Sequence, residues 1–151
     1  MAAAPQLSLR GHHLICLQFF RGEGYTDQFV KNLLIVLDQA THQDALVVMG
    51  IDDVCVACPE LGSDAQCASK DAGGEEEVAL LDELALSVLE VGVGEQLTLA
   101  EARERLEANA VGVGLWRARA CDGCAWESVC DSGWDALLKA AERAARRLDA
   151  N

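Results

Sequence analysis

Six of the seven cysteines fall into two sets of the same design: Cys55-Val-Ala-Cys58 trailed by Cys67, and Cys121-Asp-Gly-Cys124 trailed by Cys130. A C-x2-C turn bends the backbone around two sulfurs and can aim both thiolates at one metal or cluster. Both sets lie in stretches rich in Asp, Gly and Ser. Packing as small apolar side chains accounts for one or two cysteines, but hardly for six in such surroundings. The first set also constrains the fold. Residues 50–74 carry Asp52, Asp53, Pro59 and several small residues and read as one long loop. A loop of that length inside a compact domain needs something to organise it, and metal ligation would do so.

Competing uses of cysteine fit less well. The count is odd, and 7 cysteines in 151 residues fall short of a disulfide scaffold. The N-terminal segment lacks the basic region of a secretion signal, and its apolar run from Leu14 to Phe20 is short and interrupted by Gln18. The expected location is therefore the cytoplasm, where thiols stay reduced. A thioredoxin-like redox pair would need a strand–helix context, which neither C-x2-C pair has. No stretch approaches the roughly 20 apolar residues of a membrane span. The net charge of -13 opposes both a phosphate backbone and an anionic membrane surface. Neither nucleic acid nor membrane is an expected partner.

Periodicity places helices around the two loops. Residues 12–20 read as a short apolar helix, broken by the glycines of Arg21-Gly22-Glu23-Gly24. Thr26 or Asp27 caps a second helix to about Gln39, with Val30, Leu33, Leu34 and Leu37 on one face. Ala45 to Met49 is the best strand candidate. Val78, Leu81, Ala85, Val88 and Leu89 mark a third helix that opens on Glu75, Glu76 and Glu77. Thr98 and Glu101 form a capping-box pattern that opens a fourth, to about Asn109. The second cysteine loop, 120–133, leads into a final amphipathic helix through Trp134, Leu137, Leu138, Ala141, Ala145 and Leu148. Val-Gly-Val-Gly at 91–94 and again at 111–114 reads as two inter-helix turns. The expected architecture is mainly α with minor β, a compact helical domain spanning residues 1–151 with two cysteine-rich metal-binding loops.

His12, His13 and Cys16 form a third constellation. On a helix His12 and Cys16 lie one turn apart and His13 and Cys16 are near neighbours, and imidazole and thiolate both suit zinc or iron. Each cysteine triplet lacks a fourth ligand. Cys16 is therefore expected to reach a metal at roughly 2.3 Å, with His12 and His13 as weaker candidates. The carboxylates Asp52, Asp53, Asp122 and Glu127 lie close to the cysteines in sequence and are read as turn caps.

The opening Leu9-Arg10-Gly11-His12-His13-Leu14-Ile15-Cys16, the Arg21-Gly22-Glu23-Gly24-Tyr25 turn, Asp52-Asp53-Val54-Cys55-x-x-Cys58-Pro59, and Cys121-x-x-Cys124-x-Trp126 with Cys130 resemble a family of small uncharacterised bacterial and archaeal proteins. That family is suspected of binding iron–sulfur clusters. The resemblance spans nearly the whole chain. It implies Cys55, Cys58, Cys67, Cys121, Cys124 and Cys130 as cluster ligands, with His12, His13 and Cys16 as associated motif residues. It supplies no substrate.

Zinc knuckles built from Cys55/Cys58 and Cys121/Cys124 would leave Cys67 and Cys130 unexplained, whereas paired triplets suit an iron–sulfur cluster, 4Fe-4S before 2Fe-2S. The expected role is electron transfer or redox sensing with a redox partner protein. Two alternatives stand beside it: an enzyme with an open iron on a three-cysteine cluster, and a zinc-stapled module that binds another protein.

Overall fold

The computed structural model describes residues 6–19, 26–59, 61–62 and 74–120, together with 133, 135–137, 139–140, 142–143 and 146, all of these last being helical. A three-stranded sheet organises the first half. Strand β1 (Leu7–Arg10) runs parallel to β2 (Ala45–Val48), in register Leu7↔Ala45 to Arg10↔Val48, and β2 pairs antiparallel with the two-residue β3 (Gln96–Leu97). Parallel neighbours need a crossover, and here it contains α1 (Gly11–Cys16), a 3-10 turn (Leu17–Phe19) and α2 (Asp27–His42). Helices α3 (Glu75–Leu89), α4 (Leu99–Glu107) and α5 (Ala110–Ala120) follow. Helix predominates, as expected, and no helix among the described residues is long and apolar enough to cross a membrane.

The helix boundaries follow local chemistry. The Thr26 hydroxyl accepts from Phe29 N–H at 3.0 Å and opens α2. The capping box is complete at α4: Glu101 N–H donates to the Thr98 hydroxyl, and the Glu101 carboxylate accepts from Thr98 N–H. Three glutamates fill the first turn of α3, where the helix dipole favours them. Its far end closes on Glu90 in the left-handed conformation, φ 54°.

Two expectations need correction. In α2 the buried face is Phe29, Leu33, Val36 and Ala40, whereas Leu34 is exposed. The stripe expected through Val30, Leu33, Leu34 and Leu37 holds at Leu33 but left out Phe29, and burial of that ring rotates the helix. The second Val-Gly-Val-Gly is not a turn, because 111–114 lies inside α5. Asn109 starts this helix, its side-chain oxygen accepting from Gly112 N–H at 3.0 Å. Complete burial of Val113 and near-complete burial of Trp116 outweigh the roughly 1 kcal/mol helix cost of each glycine. The first copy is a turn, as read, with Gly94 at φ 91°.

The core gathers Leu7 and Leu9 of β1, Leu14 and Ile15 of α1, the inner faces of α2 and α3, Trp116 and Leu137. Within it α1 and α3 come unusually close. A Cβ at position 11 would stand 2.5 Å from the carbonyl oxygen of Asp82 and 3.1 Å from its Cα. Only glycine leaves room for that backbone. Gly11→Ala should therefore push the helices apart and lower the unfolding free energy by about 1–3 kcal/mol, the usual range for overpacking. Urea denaturation would measure the change, and an unaltered midpoint would refute the close approach.

Candidate metal centre

Arg10 is the last residue of β1, and its side chain is 1% exposed. Its Nε donates to Asp82 Oδ2 at 2.8 Å, and Nη2 donates to Glu75 Oε1 at 2.8 Å. Nη1 lies 3.9 Å from the sulfur of Cys55. The charge survives burial because two carboxylates surround it: desolvation lowers its affinity for the proton, but Glu75 and Asp82 raise it further. A buried guanidinium is thus fixed between two acids of α3 and one sulfur of the cysteine loop.

Asp52 joins the same region from the other side. One carboxylate oxygen, Oδ2, accepts from Arg10 N–H at 2.7 Å and lies 2.6 Å from His13 Nδ1. The other, Oδ1, accepts from Val54 N–H at 2.9 Å and Cys55 N–H at 3.1 Å. The turn-cap role read from the sequence holds, yet the cap also binds the strand–helix junction and the second histidine. Asp53 reinforces the seam: its carboxylate accepts from Ser8 N–H at 2.8 Å, and its carbonyl accepts from Asn32 at 2.9 Å.

The two histidines follow one pattern. His12 Nδ1 sits 2.6 Å from Asp82 Oδ1, as His13 Nδ1 does from Asp52. Asp82 also accepts from His12 N–H at 2.9 Å. The rings are tilted by 53° with centroids 4.0 Å apart. A carboxylate on Nδ1 selects the tautomer that leaves Nε2 as the basic nitrogen, the usual outer support of a metal-binding histidine.

The electrostatics are those of a charged, buried cluster. Burial would raise the Asp52 carboxyl, but the charge and hydrogen bond of His13 and the N–H of Arg10 hold it far below the carboxylate range. Burial opposes ionisation of Asp82 too and is overcome by His12 and Arg10. His12 is pushed down to about 4 by burial, then by the neighbouring His13, with Asp82 pulling the other way. The Cys55 thiol is pushed up to about 12, by burial first and the Asp52 charge second, against a smaller opposing pull from Arg10. Left to itself this sulfur stays protonated. A metal reverses that preference, since a coordinating thiol loses its proton outright.

Among the described residues one three-ligand group stands out: His13, Asp52 and Cys55, whose ligand atoms lie within 4.8 Å of one another. Cys55 begins a 3-10 turn (Cys55–Ala57) closed by Cys58 N–H on the Cys55 carbonyl at 3.0 Å, so the C-x2-C pair shares one turn. Cys55 is buried and Cys58 half-buried. Cys16 is exposed at the end of α1 and belongs to no such group among the described residues. Cys67, Cys121, Cys124 and Cys130 lie outside the described residues. Sequence reasoning missed Arg10 and Asp82. Asp82 carried a signal, because it occupies the buried stripe of α3 with Val78, Ala85 and Leu89, where a lone acid needs a partner.

A family model described as a protein of unknown function (DUF1284) matches residues 24–130. The matched span takes in Asp52, Cys55, Cys58 and Asp82 and begins after Arg10, His12 and His13. No curated protein and no solved structure matches the chain.

Proposed function

The chain belongs to this DUF1284 family, whose description assigns no reaction, and from the chemistry of the site we propose that it is an iron–sulfur protein serving electron transfer or redox sensing in the cytoplasm. The observation that carries the reading is the Cys55–Cys58 turn: it is moulded by the Asp52 carboxylate, and the Arg10 guanidinium lies 3.9 Å from the Cys55 sulfur. The donor set fits such a group. Two thiols share one turn, and a buried cation stands where thiolates bound to iron would place negative charge. Nearby amides and charges are the means by which proteins set cluster potentials.

The proposed ligands are Cys55, Cys58, Cys67, Cys121, Cys124 and Cys130, with Cys16 as a further candidate and 4Fe-4S the favoured type. Bound there, the cluster would supply one-electron redox chemistry for exchange with a partner protein. The chain's own part is mechanical and electrostatic. Asp52 orients the Cys55 backbone, Arg10 offsets charge at the sulfur, and the packing of β1 against β2 holds both at the start of the loop.

Anaerobic purification from iron-replete cells should give a brown protein with broad visible absorption, iron and acid-labile sulfide. Cys55→Ser and Cys58→Ser should each lose most of that colour. A colourless protein with stoichiometric zinc and no sulfide would overturn the cluster in favour of a zinc-stapled module.

A further inference from the structure

We propose that His13 is itself a metal ligand, bonding through Nε2 to the centre that Cys55 holds, so that the site is of mixed sulfur and nitrogen character with Asp52 as the residue that positions both donors. The inference rests on the cysteine reading above and adds to it a ligand from another part of the chain.

The argument begins with Asp52. It is itself one of the three groups close enough to share a metal, but its oxygens are already occupied. Oδ2 serves Arg10 N–H and the His13 ring, and Oδ1 serves the N–H groups of Val54 and Cys55. A metal on either oxygen would compete with the donors it already serves. Asp52 is better placed as the outer carboxylate of a carboxylate–histidine–metal arrangement, in which the imidazole gives its Nδ1–H to the acid and its Nε2 to the metal.

His13 meets the remaining requirements. Its side chain is 16% exposed, and the described residues offer no hydrogen bond to Nε2. A ring nitrogen lies within 4.8 Å of the Cys55 sulfur. Metal–sulfur and metal–nitrogen bonds of about 2.3 and 2.0 Å meeting at a tetrahedral centre hold their donors roughly 3.5 Å apart, so loading the site draws Nε2 and the sulfur together on one ion. The same carboxylate fixes the imidazole and the backbone of the cysteine, which keeps the pair together whichever way the rest of the loop runs. His12 is different. Asp82 holds its Nδ1 in the same way, but His12 belongs to no three-ligand group among the described residues.

X-ray absorption at the metal edge of the anaerobically purified protein tests this for iron or zinc alike. The expected spectrum needs one imidazole beside the sulfur ligands, and that contribution disappears in His13→Gln. Asp52→Asn should keep the imidazole signal but weaken metal retention against a chelator about 10- to 100-fold, the usual cost of losing an outer carboxylate. A metal-loaded wild type with sulfur ligands alone refutes the assignment and leaves the cysteine reading standing. Loss of the imidazole in His12→Gln, with its survival in His13→Gln, also refutes it. Protein that holds no metal refutes both readings. The wild-type spectrum decides the first question even if a variant fails to fold.

Discussion

Asp82→Ala is expected to cost about 3–5 kcal/mol of folding stability, the penalty for removing one partner of a buried ion pair and stranding the other. Asp82 is fully buried and Arg10 is 1% exposed, so water cannot take over the lost contacts. The carboxylate holds the Arg10 guanidinium, the backbone N–H of His12 and the His12 ring. Glu75 would keep one end of Arg10, which is why the effect should fall short of complete unfolding in a stable background. Urea denaturation followed by circular dichroism gives the number. The pair Arg10→Met and Asp82→Leu should recover part of the loss, because apolar side chains of similar volume leave no orphaned charge. An Asp82→Ala protein within 0.5 kcal/mol of the parent would show that the ion pair contributes little.

Acid should destabilise the protein in two stages, and the sign follows from which form the fold prefers. The fold holds His12 neutral, with its pKa lowered from 6.5 to about 4. Between those values the unfolded chain takes up a proton that the native state refuses, so stability falls with falling pH and is flat above about 6.5. At 1.36 kcal/mol per unit the loss approaches, at most, about 3 kcal/mol by pH 4. Asp52 and Asp82 act below that. Their folded forms stay ionised below the ordinary carboxyl value of 3.8, so their contribution is whole above that pH and is lost as acid protonates them. Thermal melts from pH 7.5 down to 3.5, with metal content followed in parallel, should show the first limb. His12→Gln should flatten it between pH 6.5 and 4. A midpoint that does not move over that interval in the parent would mean that His12 titrates alike in both states.

The part of this site visible in the sequence was the part written in local spacing. Cys55-Val-Ala-Cys58 announces a turn that brings two sulfurs three residues apart together, and Asp52 just before it reads as a cap. Helices α3 and α4 were equally legible, through a glutamate-loaded first turn and a capping box. What stayed hidden was made by distance along the chain. Nothing near Arg10 says that its guanidinium will meet Asp82, 72 residues away, and nothing near His13 points to Asp52, 39 residues on. Strand β1 was missed for the same reason. Four residues with serine and arginine on alternate positions become a strand because β2 lies alongside. The misjudged face of α2 belongs with these, since Phe29 has meaning only against a core that the helix itself does not contain.

The carboxylate partners of the two histidines have a consequence for the growing polypeptide. Asp52 follows His13 by 39 residues and Asp82 follows His12 by 70. At the ~5–20 residues per second of protein synthesis, His12 waits roughly 4–14 s for the acid that will orient it. Within that interval His13 gains Asp52 after 39 residues, and Cys55 and Cys58 follow, while the His12 ring still lacks its acid. Closing contacts of such span also comes late in folding, since loop entropy must be overcome before they return anything. The chain must therefore reach α3, and α3 must dock on Gly11, before Arg10 and His12 meet the acid that holds them.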